Sequence, residues 1–106
     1  MTDRVRVALA AAAREAVVNA AKHSGAPLVQ VYAEVEPDSA TVFVRDRGSG
    51  FDPDEVPADR QGLRGSIVGR MERHGGRAVV RSAPGEGTEV VIMWRAAAPA
   101  ARPVGA

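Results

Sequence analysis

The chain has 106 residues, of which 45% are hydrophobic and 25% charged, with 14 lysines and arginines against 13 aspartates and glutamates. This length and balance indicate one globular domain, and they exclude a fold based on a membrane span, because no run of about 18 apolar residues occurs. The net charge of +1 argues against nucleic acid as the partner. The absence of cysteine excludes disulfides, thiolate metal sites and a cysteine nucleophile.

The first residues lack the basic stretch and long apolar core of a signal peptide. We therefore expect a cytoplasmic domain without membrane contact of its own, which is compatible with a membrane-anchored parent protein.

Two helices and four strands are predicted in chain order. Asp3–His23 is rich in alanine and free of glycine and proline, so it is predicted to be a helix capped by Thr2 or Asp3, with an apolar stripe at helical spacing. Residues 28–36 alternate between apolar and polar and predict a half-buried strand, which forms a hairpin with residues 41–46. The apolar stripe of the predicted helix Asp3–His23 consists of Leu9, Ala13, Ala16, Val17 and Ala20.

The second half of the chain repeats the order of helix and hairpin. Residues 47–61 are polar and predict a loop, and a second helix is expected over residues 62–74 before two glycines. Two further strands, at residues 77–83 and 88–95, surround a turn, and the tail at residues 96–106 is expected to be disordered. The fold class predicted is therefore an α/β two-layer sandwich with its helices on one face of a largely antiparallel sheet.

The first group of polar residues lies on one flank of the first helix. Glu15, Asn19, Lys22 and His23 follow one another at helical spacing, away from the apolar stripe. A solvated face is the usual interpretation of such a group. However, asparagine is a poor helix former, and a carboxylate one turn from an amide oxygen suits a hard divalent cation that arrives with phosphates.

The second group is the run from Asp46 to Phe51, in which Gly48 and Gly50 alternate with other residues. Taken alone, this is a common glycine turn after a strand. Asp46 shares its strand face with Val42 and Val44, so its carboxylate points toward the core and needs a donor, such as the exocyclic amine of a bound base. The two glycines would let the backbone approach a ligand.

Two weaker signals follow. The segment from Gly62 to Gly65 is expected at the start of the second helix, where backbone N–H groups bind phosphate. Thr88 shares strand parity with Val90 and Ile92, so its hydroxyl points toward one layer. Taken alone, each is better explained as ordinary local structure.

Together and in this order, the four segments resemble the GHKL ATPase superfamily. They are most similar to the ATP-binding catalytic domain of bacterial sensor histidine kinases in the NarL-type branch, which has the Bergerat-type ATP-binding fold. The resemblance covers residues 8–94. The segments that carry it are Glu15–His23, which resembles the N box, Asp46–Phe51 and Gly62–Gly65, which resemble two glycine boxes, and Gly87–Thr88, which resembles the last.

The resemblance implies that ATP lies between the sheet and the helices. It assigns Asp46 to the adenine amine with Thr88 in support through water, Asn19 to Mg²⁺ bridging the phosphates, and Glu15 to polarising or deprotonating the attacking group. Around the phosphates it places Lys22, His23, Gly62, Leu63 and Gly65.

The chain departs from the family pattern in three places. Only the second glycine of the usual G-x-G-L remains in Arg60-Gln61-Gly62-Leu63, and the lid between Phe51 and Gly62 is short. The family usually has a strand before the first helix, so an unpaired sheet edge is expected here.

The acceptor of the phosphoryl group is also missing. A sensor kinase phosphorylates a histidine that precedes an acidic residue, whereas His23 and His74 precede Ser24 and Gly75. The resemblance therefore implies two partners, a histidine-bearing dimerisation domain of the same kinase and a downstream response regulator.

Two alternatives stay open at this point. The related anti-sigma-factor class uses the same pocket to phosphorylate a serine, although the sequence from Gly75-Gly76 to Gly87-Thr88 favours the histidine kinases. A nucleotide-dependent interaction module without turnover would differ only in its activity. Type II topoisomerases and mismatch-repair ATPases share the pocket in much longer domains.

Overall fold

The computed structural model describes residues 1–23, 25, 27–50 and 58–96, including side chains except those of residues 23 and 58–64. Of the tail predicted at residues 96–106, residues 97–106 lie outside the described residues, as do the lid residues 51–57. Ala96 is described, and its N–H donates to the carbonyl oxygen of Asp38 at 2.7 Å, so the predicted disorder does not hold at that residue. The elements follow the predicted order, and their bounds are α1 (Asp3–His23), β1 (Val29–Glu36), β2 (Ser39–Asp46), α2 (Ala58–Arg73), β3 (Gly76–Ser82) and β4 (Thr88–Arg95).

The four strands form one antiparallel sheet in the order β1-β2-β4-β3. Both helices pack on the same face, where side chains from α1, α2, β2 and β4 form a single core cluster. The predicted two-layer sandwich is confirmed. Within the described segments, neither helix has the length of apolar sequence that crossing a bilayer requires.

Helix α1 has the bounds that the sequence predicts. The backbone N–H of Val5 donates to Oγ1 of Thr2 at 3.3 Å, so Thr2 is the N-cap. Alanines dominate the buried stripe, which lets the helix lie close to the sheet, and the predicted members Ala13 and Val17 are half-buried at its margin. The buried positions are Val5, Ala8, Leu9, Ala12, Ala16 and Ala20.

Strand β1 is not half-buried, contrary to the sequence-based expectation. Val31 is 54% exposed and Val35 is 68% exposed, although both point to the same side as the core residues of β2. The reason is that β1 is an edge strand of the sheet, and α1 packs on β2 and β4 instead. The expected unpaired edge is therefore present in the described part of the sheet.

The opposite face of the sheet carries an aromatic pair across β1 and β2. The rings of Tyr32 and Phe43 lie with their centroids 6.0 Å apart. The hydroxyl of Tyr32 donates to Oε1 of Glu34 at 3.0 Å, and this hydrogen bond to a carboxylate raises the pKa of Tyr32 above its ordinary value.

Helix α2 begins at Ala58, four residues before the predicted start at Gly62. Gly62 and Gly65 therefore lie inside the helix, and the expectation that they sit at its N-terminus is wrong. Ala58, Arg60 and Gln61 are good helix formers, and an interior glycine costs only about 1 kcal/mol, so the helix extends through both glycines.

Because β1 is exposed and β4 is buried, substitutions in the two strands should differ in their effect on stability. Ile92 is fully buried in the middle of the sheet, so Ile92→Ala should lower the free energy of unfolding by about 2–5 kcal/mol. Val35→Ala should change it by less than about 0.5 kcal/mol, because an exposed side chain loses little burial. Urea denaturation of both variants measures the difference, and equal losses would contradict the exposure of β1.

Candidate functional site

The predicted core-facing orientation of Asp46 is confirmed. Asp46 is 4% exposed, and it is the one buried charged residue among those that the structure describes. It lies at the end of β2 directly opposite Thr88 of β4, which in turn lies opposite Ser82 of β3. The three polar side chains thus form one row across three strands, on the face that the helices cover.

Hydrogen bonds within this row leave capacity for a ligand. The backbone N–H of Gly48 donates to Oδ1 of Asp46 at 2.8 Å, and the described residues supply no second donor to this carboxylate. The hydroxyl of Ser82 donates to the carbonyl oxygen of Gly87 at 2.8 Å. Its contact of 2.9 Å with Oγ1 of Thr88 therefore has Thr88 as the donor, which leaves the lone pairs of the Thr88 oxygen available to accept.

Ser82 is a site residue that the sequence analysis missed. Its role is visible only in the strand register, because the residue fixes the orientation of the Thr88 hydroxyl from the neighbouring strand. The parity of β3, where Ala78 and Val80 face the core, was the available signal.

The first and last glycine segments contact each other through their backbones. A Cβ atom on Gly50, whose φ is +62°, would lie 2.8 Å from the carbonyl oxygen of Gly87 and closer still to that of Ala83. A Cβ atom on Gly87, whose φ is +79°, would overlap the carbonyl oxygen of Asp46. The N–H of Gly85 also donates to the carbonyl oxygen of Ser49 at 2.6 Å. These glycines therefore lock the loop after β2 onto the β3–β4 turn.

The helical group of polar residues is centred on an ion pair with α2. Nη2 of Arg70 donates to Oε1 of Glu15 at 2.5 Å. Oε2 of Glu15 and Oδ1 of Asn19, one turn apart on α1, are both buried and have no hydrogen-bond partner within the described residues. Lys22 is exposed, and the side chain of His23 lies outside the described residues.

The buried oxygen of Asn19, which has no partner within the described residues, fits the chemistry of a magnesium ion. Mg²⁺ prefers oxygen ligands and keeps several waters, so it requires few ligands from the protein. The described residues contain no group of three or more His, Cys, Asp or Glu side chains that could hold a metal without a substrate. A single amide oxygen from Asn19, together with phosphates and water, fits this donor set.

The second glycine segment lies within α2 rather than at its N-terminus. Gly65 is exposed, and a Cβ atom on it would meet nothing within 4 Å. The backbones of Gly62 and Leu63 are helical, and the side chain of Leu63 lies outside the described residues. A phosphate contact by backbone N–H groups at a helix start is therefore not available from these residues.

A cavity of about 310 Å³ opens at this end of the sheet beside Asp46, Ser82, Gly87 and Thr88, and its lining also includes Arg45, Arg81 and Glu89 of the uncovered face. A larger apolar groove of about 770 Å³ lies between the first half of α1 and β1, and its lining includes none of the predicted site residues. The chemistry of the buried carboxylate, rather than the size of the cavity, therefore marks the site.

The two types of glycine position predict opposite effects of alanine. Gly50→Ala should destabilise the fold by more than about 1 kcal/mol, because the new Cβ meets backbone at a positive φ. Gly65→Ala should stabilise it by up to about 1 kcal/mol, because alanine is the better helix former in open space. Urea denaturation compares the two, and a Gly50→Ala variant as stable as the parent would contradict the glycine contact.

A comparison with protein families finds a match over nearly all of the chain. Residues 4–98 match the family described as histidine kinase-, DNA gyrase B-, and HSP90-like ATPase. The signal transduction histidine-protein kinase/phosphatase DegS of Brevibacillus brevis is 34% identical over 85% of this chain, which covers 23% of that protein. The nitrate/nitrite sensor protein NarQ of Escherichia coli is 39% identical over 79% of this chain, which covers 15% of that protein.

A solved structure supports the same relationship. The ATP binding domain of PrrB from Mycobacterium tuberculosis superposes with a TM-score of 0.64 at 27% identity, covering 87% of this chain and 69% of that one. The chain spans less than a quarter of the two curated relatives. The chain therefore belongs to the family of histidine kinase-, DNA gyrase B- and HSP90-like ATPases, and its fold is that of the ATP-binding domain of a sensor histidine kinase.

Proposed function

We propose that this domain binds Mg-ATP and transfers the γ-phosphoryl group to a histidine on a separate dimerisation domain of the same kinase, from which a response regulator receives it. The observation that carries the proposal is the buried carboxylate of Asp46, aligned with Thr88 on the covered face of the sheet. The reaction takes place in the cytoplasm and involves no nucleic acid.

Asp46 and Thr88 bind the adenine in this proposal. The N–H of Gly48 holds Oδ1 of Asp46, so the carboxylate has a fixed orientation and can accept a further hydrogen bond from the exocyclic amine. The hydroxyl of Thr88 donates to Ser82, and its lone pairs would accept from a water that bridges to the base. Gly48 leaves the backbone beside the base free of a side chain, and Gly50 holds this loop against the β3–β4 turn.

Asn19 holds the magnesium ion through Oδ1, which has no other partner among the described residues. When bound, the ion supplies charge neutralisation for the phosphates. Lys22 is exposed beside this position and adds a positive charge. His23 follows at the end of the helix, and the helical segment of α2 with Gly62, Leu63 and Gly65 covers the phosphates without donating helix-start N–H groups to them.

Glu15 acts in the chemical step. One ring nitrogen of the acceptor histidine forms a bond with the γ-phosphorus, and the bond from the phosphorus to the bridging oxygen breaks with its electron pair, which leaves on ADP. The proton on the other ring nitrogen passes to the Glu15 carboxylate. Such proton transfer by a positioned carboxylate contributes typically 10²–10⁴-fold.

Asp46→Asn tests the adenine contact. The amide loses one charge-assisted hydrogen bond, so binding of ATP should weaken by about 1.5–3 kcal/mol, while unfolding by urea changes less. Isothermal titration with Mg-ATP measures the affinity, and Asp38→Asn in the exposed β1–β2 turn is the matched control. An Asp46→Asn variant that binds like the parent would make this carboxylate a structural turn residue.

The variants Glu15→Gln and Asn19→Ala test two different roles, that of Glu15 as the base and that of Asn19 as the metal ligand. Glu15→Gln should keep ATP affinity within a few-fold and reduce phosphoryl transfer by about 10²-fold or more, because the group acts in the transition state. Asn19→Ala should instead weaken the magnesium-dependent part of ATP binding. Glu72→Gln on the exposed side of α2 is the control for loss of a carboxylate.

The transfer assay uses a chimaera of B. brevis DegS in which this chain replaces the aligned segment, with radiolabelled γ-phosphate as the reporter. Acid-labile phosphate is the expected product, whereas acid-stable phosphate would indicate the serine-kinase alternative. Transfer at the parent rate by Glu15→Gln contradicts its catalytic role, and unchanged magnesium dependence in Asn19→Ala contradicts the metal assignment.

A further inference from the structure

The contact between Arg70 and Glu15 joins the two helices at the proposed site. The residues are 55 positions apart in the chain, and their side chains are only 30% and 23% exposed. The other ion pairs in the described part of the chain, Arg6 with Asp3 and Arg81 with Glu89, each include an arginine that is at least two-thirds exposed. Arg70 is therefore held in a defined place, whereas the others are ordinary surface pairs.

The two oxygens of Glu15 are in different situations. Oε1 accepts from Nη2 of Arg70, while Oε2 is buried and lacks a donor within the described residues. Nε of Arg70 is buried and has no hydrogen-bond acceptor within the described residues. Arg70 therefore binds only one oxygen of Glu15 and does not form the bidentate ion pair that arginine often makes with a carboxylate. Leaving a buried polar atom unpaired destabilises a fold, and such an atom calls for an explanation.

We propose that Arg70 is a positioning residue for phosphoryl transfer: by holding Oε1 of Glu15, it presents Oε2 to the proton of the acceptor histidine. This role rests on the proposed function, in which Glu15 accepts that proton. The unpaired Oε2 is then the atom that accepts the proton, and the N–H of the acceptor histidine is the hydrogen-bond donor that Oε2 lacks. Arg70 forms and breaks no bond itself, because it acts only through the carboxylate.

The position of Arg70 on α2 also connects the base to the second glycine segment. Gly65 lies five residues earlier on the same helix, about 7.5 Å along its axis. The helix that is proposed to close over the phosphates therefore also sets the orientation of the base. A shift of about 1 Å in a reacting group is enough to cost up to 10²-fold in rate, so an orienting contact from this helix matters for turnover.

Arg73 provides a matched control. It lies three residues further along α2 and carries the same charge, but its side chain is exposed, and the described residues give it no ion pair. Replacing Arg73 removes the same positive charge from the same helix without touching Glu15.

The experiment measures transfer and nucleotide affinity in Arg70→Ala, Arg70→Lys and Arg73→Ala. In the DegS chimaera, Arg70→Ala should reduce kcat for phosphoryl transfer by about tenfold or more with KM for ATP unchanged within a few-fold. Arg70→Lys keeps one charged donor and should recover part of the loss, and Arg73→Ala should behave as the parent does. Fluorescent ATP titration and circular dichroism verify binding and folding in each variant.

The double variant Glu15→Gln/Arg70→Ala distinguishes action through the carboxylate from direct contact with the phosphates. It should transfer no more slowly than Glu15→Gln alone, because Arg70 has nothing to orient once the carboxylate is gone. A further loss in the double variant, a large rise in KM for Arg70→Ala, or transfer at the parent rate by Arg70→Ala would each overturn the role of Arg70. A parent chain that binds no ATP would overturn the proposed function itself, and this role with it.

Discussion

The register between β2 and β4 is the constraint on which the rest of the site depends. It places Asp46 opposite Thr88, and a shift of β2 by one residue would turn the side chain of Asp46 to the uncovered face while Thr88 stayed on the covered one. Hydrophobic burial opposes such a shift, since Val42 and Val44 of β2 would leave the core with it. The contact between Gly50 and Gly87 holds the same register at the end of the strands, where the ladder itself stops.

Helix α1 brings the second half of the site to this sheet end. Its buried face is made mostly of alanine, so the helix packs closely, and the flanking positions of Glu15 and Asn19 are carried at a fixed height above the strands. Larger residues in the stripe would lift the helix and widen the space between the carboxylate on the sheet and the oxygens on the helix. The positions of Glu15 and Asn19 therefore depend on the buried alanines of α1, which take no part in the proposed chemistry.

Strand parity and helical spacing predicted the fold and the orientation of individual side chains, because both follow from local backbone geometry. They predicted that Asp46 faces the core and that Glu15 and Asn19 share a flank. They did not predict that no helix packs on β1. The alternation of apolar and polar residues distinguishes the two faces of a strand, but it does not show whether a helix packs on the apolar face. The start of α2 was misplaced because an interior glycine lowers helix stability only slightly.

Arg70 and Ser82 belong to the part of the site that depends on tertiary structure. Ser82 acts on a neighbouring strand and Arg70 on a residue 55 positions away. Strand parity indicates only the face on which Ser82 lies, and no local pattern marks Arg70. Both have the same kind of effect, which is to fix the orientation of a group proposed to meet the ligand while leaving it able to accept a hydrogen bond, at Oε2 of Glu15 and at the lone pairs of the Thr88 hydroxyl. Fully paired oxygens on Glu15 and Thr88 would make a more stable domain, but they would have no capacity left for a proton or a water. The unpaired atoms near the site thus lower the stability of the free domain, and in the proposed function the substrates supply the hydrogen-bond partners that these atoms lack.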